Sequence, residues 1–378
     1  MSTPTIQGHV EPGFERVADA FALNFTDRGD RGAACAVVVE GRTVIDLHGG
    51  HTAAGQPWTE ATRTPVFSVS KGITAICLTM ASDRGLLDLD APVAFSWPEF
   101  AAHGKGQVTV REALAHRAGV PTLSWPATGD DLHDWHRVVD DLARAVPLWT
   151  PGTRFAYHAL TVGFLAGEVL RRTTGRRPSQ WLADEIAGPL GLTMTFGGDP
   201  DDPDFAAPLP LADTAVGGVP LAAEDQALVD RALLADGAYA PDLYTAAATA
   251  AFLGPESPAA NLVTRAKDLA RLYAATVHPV DGRTLLTAET VAAASRPLSF
   301  GKPYVGADKG DVWGTGFMLH SARRGMAGPG SFGHDGAGGQ LAFAQPRFGL
   351  GFGYHTIQPG GDDDIRAEAL SAALRECL

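Results

Sequence analysis

Lysine is scarce in this chain. Of its 30 basic residues only five are Lys (Lys71, Lys105, Lys267, Lys302 and Lys309), so each Lys is a rare choice in a sequence that prefers Arg. Positive charge as a whole is in deficit, with 43 acidic residues and a formal net charge of −13. No basic cluster of the kind a phosphate backbone requires is present, which argues against nucleic acid as a partner. The net charge also disfavours anionic substrates at long range. Cysteine is nearly absent: Cys35, Cys77 and Cys377 are too few and too scattered for a disulfide framework or a zinc site, and free thiols in a reducing compartment are expected. No run approaches the ~18 apolar residues that span a bilayer, and Met1–Arg16 lacks a basic segment followed by an apolar core. The expectation is a cytoplasmic protein with no membrane contact. His116, His133, His136 and His158 fall into no H-E-x-x-H pattern, and the acidic run Asp199–Asp204 lacks the Gly and Glu of a calcium loop. Neither metal nor cofactor is expected.

The 378 residues, 45% hydrophobic and 19% charged, suffice for two domains or one large domain with an insertion. An amphipathic pattern over 12–29 (Phe14, Val17, Ala18, Phe21, Phe25) predicts an N-terminal helix. Ala33–Glu40 and Arg42–Gly49 about Gly41 read as a β-hairpin. Helical spacing runs from Phe67 to Arg84 before Gly85, and from Leu160 to Thr174 before Gly175. Further helices are expected at Val110–Arg117, Leu132–Ala145, Ser179–Ile186, Thr264–Thr276 and Ile365–Arg375. Strand signals return at Val312–His320, Gln340–Gln345 and Leu350–Thr356. Gly197–Pro208 reads as a loop, and Ala212–Pro258 as a helical or lid-like insertion. Strands at both chain ends with helices between them predict an α+β fold: a mostly antiparallel sheet built from both ends and flanked by helices, with a mainly helical domain inserted. The expected division is 1–72 with 259–378 for the sheet domain and 73–258 for the helical one, the latter variable over 197–258. A doubly wound parallel sheet would need regular strand–helix alternation and a Gly-rich first turn, and neither is found.

The sharpest local feature is Phe67-Ser68-Val69-Ser70-Lys71-Gly72. A Ser at a helix start is ordinarily an N-cap, but that role leaves Lys71 unexplained, because a cation in the first turn opposes the helix dipole. Positions i and i+3 share a face, so the Lys71 amine can reach the Ser68 hydroxyl. Burial and the helix terminus both disfavour the ammonium, which makes Lys71 a base able to take the Ser68 proton as the oxygen attacks a carbonyl. Two further segments carry chemistry: Tyr157, just after the Pro151-Gly152 turn and before a helix, and the Gly-rich His334-Asp335-Gly336-Ala337-Gly338-Gly339, read as a turn leading into a strand.

In order and context these segments resemble the serine β-lactamase and penicillin-binding-protein superfamily, and more closely its class C β-lactamase-like esterases, the family VIII carboxylesterases. S-x-x-K followed by further boxes is a signature of that chemistry. Thr109–Gly119, Gly188–Leu192 before Met194, and Thr264–Leu272 share the likeness, which covers most of the chain outside the insertion. The resemblance implies Ser68 as nucleophile, Lys71 as its activator and Tyr157 as a proton carrier to the leaving group. It implies an oxyanion hole from the Ser68 and Ala337 amides, and a third substrate-binding box at His334 and Gly336. Where β-lactamases have Tyr-x-Asn the chain has Tyr157-His158-Ala159, and His334 replaces the third-box Lys. Both changes weaken recognition of a β-lactam or peptide and leave ester cleavage intact. Trp125, Trp313 and Phe317 are candidate pocket residues. No G-x-S-x-G occurs, so an α/β-hydrolase elbow does not compete.

The expected activity is hydrolysis of short-chain or small carboxylic esters through a Ser68 acyl-enzyme. Rival readings are acyl transfer to an alcohol or amine, amide hydrolysis (D-peptide or β-lactam) on the same scaffold, and, more remotely, a catalytically silent binding protein. The partner expected is a small-molecule ester; the sequence leaves a homo-oligomer open.

Overall fold

A computed structural model describes residues 5–211, 221–235, 237–361 and 363–378. Seven strands form one antiparallel sheet in the order β1-β3-β2-β10-β9-β8-β7. They are β1 (Ile6–Val10), β2 (Gly32–Val39), β3 (Arg42–Gly50), β7 (Met318–Leu319), β8 (Phe332–Gly336), β9 (Gln340–Gln345) and β10 (Leu350–Thr356). The seam between chain ends is β2 against β10, paired from Val39↔Leu350 to Ala33↔Thr356. The sheet is thus assembled from both ends of the chain, as the strand signals predicted. A second sheet, β4 (Thr64–Pro65), β6 (Leu262–Thr264) and β5 (Met194–Phe196), ties three distant segments together.

Alternation along β10 sorts the two faces, since successive side chains point to opposite sides. Phe352 and Tyr354 join Val17, Phe21, Leu370 and Leu374 in one apolar cluster, beneath the terminal helices Glu15–Thr26 and Arg366–Arg375. On the other face Gly351 and Gly353 let the helix Ala266–Ala275 lie directly on the strand. The larger core cluster continues from that helix through the buried helix Val69–Asp83 to Thr161–Thr174. Buried Glu168 pins the latter to the helix Trp135–Arg144. It accepts from Trp135 Nε1 at 2.8 Å and pairs with Arg171 and Arg172 at 2.8 and 2.6 Å.

Several local expectations change. Val312–His320 contributes only the two residues of β7; around them Gly314 and Gly316 turn the chain, with a Gly314–Phe317 backbone bond, instead of extending it. His334-Asp335-Gly336 is itself strand, because its backbone pairs with Gln340–Ala342 of β9. The short strands β1 and β4–β6 lack the alternation that would mark them in sequence and exist through their pairing partners. Of the Ala212–Pro258 insertion, 212–220 and 236 lie outside the described residues. The remainder carries the helices Ala223–Leu233, Leu243–Ala246 and Ala250–Leu253. No helix among the described residues is long and apolar enough to cross a membrane. Cys35 and Cys77 are buried free thiols, and Cys377 is free and partly buried.

Candidate active site

The helix Val69–Asp83 begins at a strained corner. Phe67, fully buried, has φ +46°, a left-handed conformation that a bulky residue adopts only when its surroundings impose it. Those surroundings are specific. The Val66 N–H donates to Leu262 O at 2.9 Å, and the Leu262 N–H donates to Ser70 Oγ at 3.0 Å. Ser68 stands at the N-cap position, yet its side chain makes no capping bond. Its hydroxyl is engaged elsewhere: Lys71 Nζ lies 2.9 Å from Ser68 Oγ, and the Tyr157 hydroxyl donates to the same oxygen at 2.8 Å.

Lys71 is 5% exposed and also donates to the Ala259 carbonyl at 2.9 Å. Burial pushes its pKa down to about 7, against a smaller upward pull from Asp335. A large fraction of the amine is therefore neutral near neutral pH. Tyr157 moves the opposite way: burial and the charges of Asp335 and Asp311 raise it, outweighing the hydrogen bond to Ser68. The amine is the group that can take a proton and the phenol the group that keeps one.

The segment 151–160 around Tyr157 has no helix or strand. Its neighbours are two buried histidines. His158 Nδ1 lies 2.6 Å from Ala156 O and its Nε2 accepts from the Val120 N–H at 3.1 Å, so each ring nitrogen has a defined role. Burial lowers its pKa to about 4. His116 accepts at Nδ1 from the His158 N–H at 3.2 Å.

On β8, His334 Nδ1 lies 2.6 Å from the Asp335 carbonyl, while its buried Nε2 has no partner among the described residues. Burial pushes the Asp335 carboxyl up, but bonding from His334 and the Arg324 guanidinium at 2.5 Å outweigh it and hold it well below the usual range. Gly336 faces the Ser68 corner so closely that a Cβ there would stand 2.3 Å from Val66 O. Among the described residues, neither the Ser68 nor the Ala337 N–H donates to another protein group.

Of the three candidate pocket aromatics, Trp313 lies at the site, its ring 5.3 Å from Tyr157 and 5.4 Å from His334. Phe317 is fully buried against Phe332, and Trp125 packs under Arg137. Sequence reasoning missed the Ala259 carbonyl, since a main-chain acceptor 188 residues from Lys71 leaves no side-chain signal. It set His116 and His158 aside as metal ligands and gave neither a part in the site's chemistry. Among the described residues no cluster of His, Cys, Asp or Glu could hold a metal ion.

The beta-lactamase family pattern matches residues 17–375. The chain is 35% identical over 368 residues to the esterase/beta-lactamase LipL of Mycobacterium tuberculosis, covering 91% of this chain and 81% of that one. A family VIII carboxylesterase crystal structure superposes with a TM-score of 0.89 at 33% identity over 99% of this chain and all of that one. A penicillin-binding-protein homologue from Caulobacter crescentus gives 0.87 at 32%, again over 99% of this chain and all of that one. The chain belongs to the beta-lactamase family and, within it, stands with the family VIII carboxylesterases.

Proposed function

We propose that the protein hydrolyses small carboxylic esters through an acyl-enzyme on Ser68, with Lys71 and Tyr157 moving the protons. The observation that carries this reading is the convergence of the Lys71 amine and the Tyr157 hydroxyl on Ser68 Oγ, at 2.9 and 2.8 Å. Ser68 Oγ attacks the ester carbonyl carbon as its proton passes to neutral Lys71. The resulting oxyanion is held by the Ser68 and Ala337 N–H groups. The carbon–oxygen bond to the alcohol then breaks, the departing oxygen takes the Tyr157 proton, and Lys71 resupplies the phenol. Water follows the same route in reverse, loses its proton to the Lys71–Tyr157 pair and releases the acid from Ser68. His334 and Gly336 shape the third side of the site.

Esters are favoured over amides by Ala159 and His334. The first is an apolar residue where an amide group would bind a peptide-like carbonyl; the second stands where a fixed cation would bind a carboxylate. LipL and the superposed carboxylesterase carry ester cleavage in their names, which agrees with this choice.

The test is Ser68→Ala on p-nitrophenyl acetate and butyrate, together with intact-mass detection of the acyl adduct across esters, amides and β-lactams. Loss of at least about 10³-fold in kcat is expected, with the adduct found for esters in the wild type. Undiminished turnover by Ser68→Ala overturns the assignment. Products formed with a competing alcohol separate hydrolysis from transfer.

A further inference from the structure

Tyr157 must keep its hydroxyl on Ser68, yet the segment that carries it has no ladder or helix to hold it. Its flanks are fastened instead, and His116 supplies the two bonds nearest to Tyr157. The His116 carbonyl accepts from the Ala156 N–H at 3.3 Å, and its Nδ1 accepts from the His158 N–H at 3.2 Å. Tyr157 lies between those two amides. The His116 ring also stands 5.0 Å from the Tyr157 ring and meets Trp313 edge-on at 4.8 Å.

Two features show that this arrangement is imposed. His116 is 2% exposed and takes φ +64°, a left-handed backbone that non-glycine residues seldom adopt. An acceptor at Nδ1 requires the neutral ring to carry its proton on Nε2. Burial, with His158, Lys71 and His334 facing the ring, disfavours a second proton. His116 also helps line a cavity of about 10 Å³, shared with Lys71, Thr74, Leu114 and Gly316. That is room for about one water. His116 thus borders the phenol and shares a cavity with Lys71, whose amine meets that phenol on Ser68.

We infer that His116 is a positioning residue for the Ser68 reaction: it clamps the chain on both sides of Tyr157, and its imidazole does so as a neutral Nδ1 acceptor. The inference rests on the Ser68–Lys71–Tyr157 reading above. Small displacements of a proton donor are costly, because a misplacement of about 1 Å can lower the rate ~10²-fold.

Two variants separate clamp from bulk. His116→Gly accepts the left-handed backbone and removes the acceptor, whereas His116→Asn also suits that backbone and offers an amide oxygen near the Nδ1 position. The readouts are kcat and KM on p-nitrophenyl butyrate and the rate at which a fluorophosphonate labels Ser68, on protein whose circular dichroism matches the wild type. His116→Gly is expected to lower kcat by ~10²-fold, with KM changed less than about threefold and labelling slowed in parallel. His116→Asn is expected to recover to within about tenfold of wild type. The rate–pH midpoint stays with Lys71, since a neutral ring has been removed. A folded His116→Gly with kcat within about threefold of wild type overturns the inference, as does an Asn variant no better than the Gly one. Should His116→Gly not fold, the Asn variant decides: kcat within about tenfold of wild type supports the clamp, and a deeper loss overturns it. Wild-type protein that the fluorophosphonate does not label overturns the Ser68 reading, and the inference with it.

Discussion

At Lys71, burial acts on stability and, in the reaction proposed above, on catalysis through the same proton. In the unfolded chain the amine titrates near its ordinary value of 10.5, and in the folded protein near 7. Between those values the unfolded state binds the proton and the folded state does not, so stability rises with pH across that window. Below about pH 7 both states are charged and the folded one carries the whole burial cost, on the order of 4–5 kcal/mol. Lys71→Met removes that cost together with the proposed base. The expected outcome is an inactive protein whose melting temperature, relative to wild type, gains more at pH 6 than at pH 9. Calorimetry at the two pH values checks it; an equal difference at both would mean that the ammonium is not disfavoured in the fold. Wild-type kcat/KM should rise with pH through about 7, as Lys71 loses its proton.

Elements meet at the Pro258–Ala259 segment, which two helices contact. From the helix Val69–Asp83, Thr74 Oγ1 donates to Pro258 O at 2.7 Å and Lys71 to Ala259 O at 2.9 Å. From the helix Thr161–Thr174, Gly163 presses against the same backbone, where a Cβ would stand 2.5 Å from the Ala259 nitrogen. Backbone cannot yield as a flexible side chain would, so Gly163→Ala must push Ala259 away and move the carbonyl that holds Lys71. The variant is expected to lose about 1–3 kcal/mol of stability and ~10-fold or more in kcat. Denaturant titration and steady-state kinetics together check this; full activity would show that the Ala259 carbonyl does not position the amine. The helix Thr161–Thr174 and its stop at Gly175 are legible in the sequence through apolar spacing. That Gly163 touches a segment about 95 residues onward is not, because the contact belongs to packing and leaves no periodicity.

Across the whole molecule, three buried neutral histidines make the fold sensitive to acid. Burial lowers His158 to about 4 and His355 to about 3, and holds His116 well below its usual value. Each binds its proton near 6.5 when unfolded but only far lower when folded. Stability is therefore lost as pH falls from about 6.5 towards 4, by up to about 1.4 kcal/mol per pH unit for each ring. Thermal melts at pH 7, 6 and 5 should fall progressively. His355 accepts from the Ala266 N–H at 3.3 Å and lies away from Ser68, on β10. His355→Gln, which keeps an acceptor and cannot charge, should flatten the decline without touching the nucleophile; an unchanged slope would remove His355 as a source of it.

The sequence by itself determined the Ser68–Lys71 pairing and the outline of the fold. Ser68 and Lys71 are three residues apart on one helix, so their meeting follows from local geometry, and the hairpin, Gln340–Gln345 and Leu350–Thr356 follow from alternation and turn residues. Only the tertiary structure decided what depends on residues far apart in the chain. It brings Tyr157 and the Ala259 carbonyl to the Ser68–Lys71 pair, makes strand of His334-Asp335-Gly336 through pairing with β9, and turns Phe317 into core while leaving Trp313 at the site. The scarce lysine that stood out in the sequence is explained the same way. A guanidinium stays charged when buried, whereas an amine enclosed by the fold can give up its proton near neutral pH.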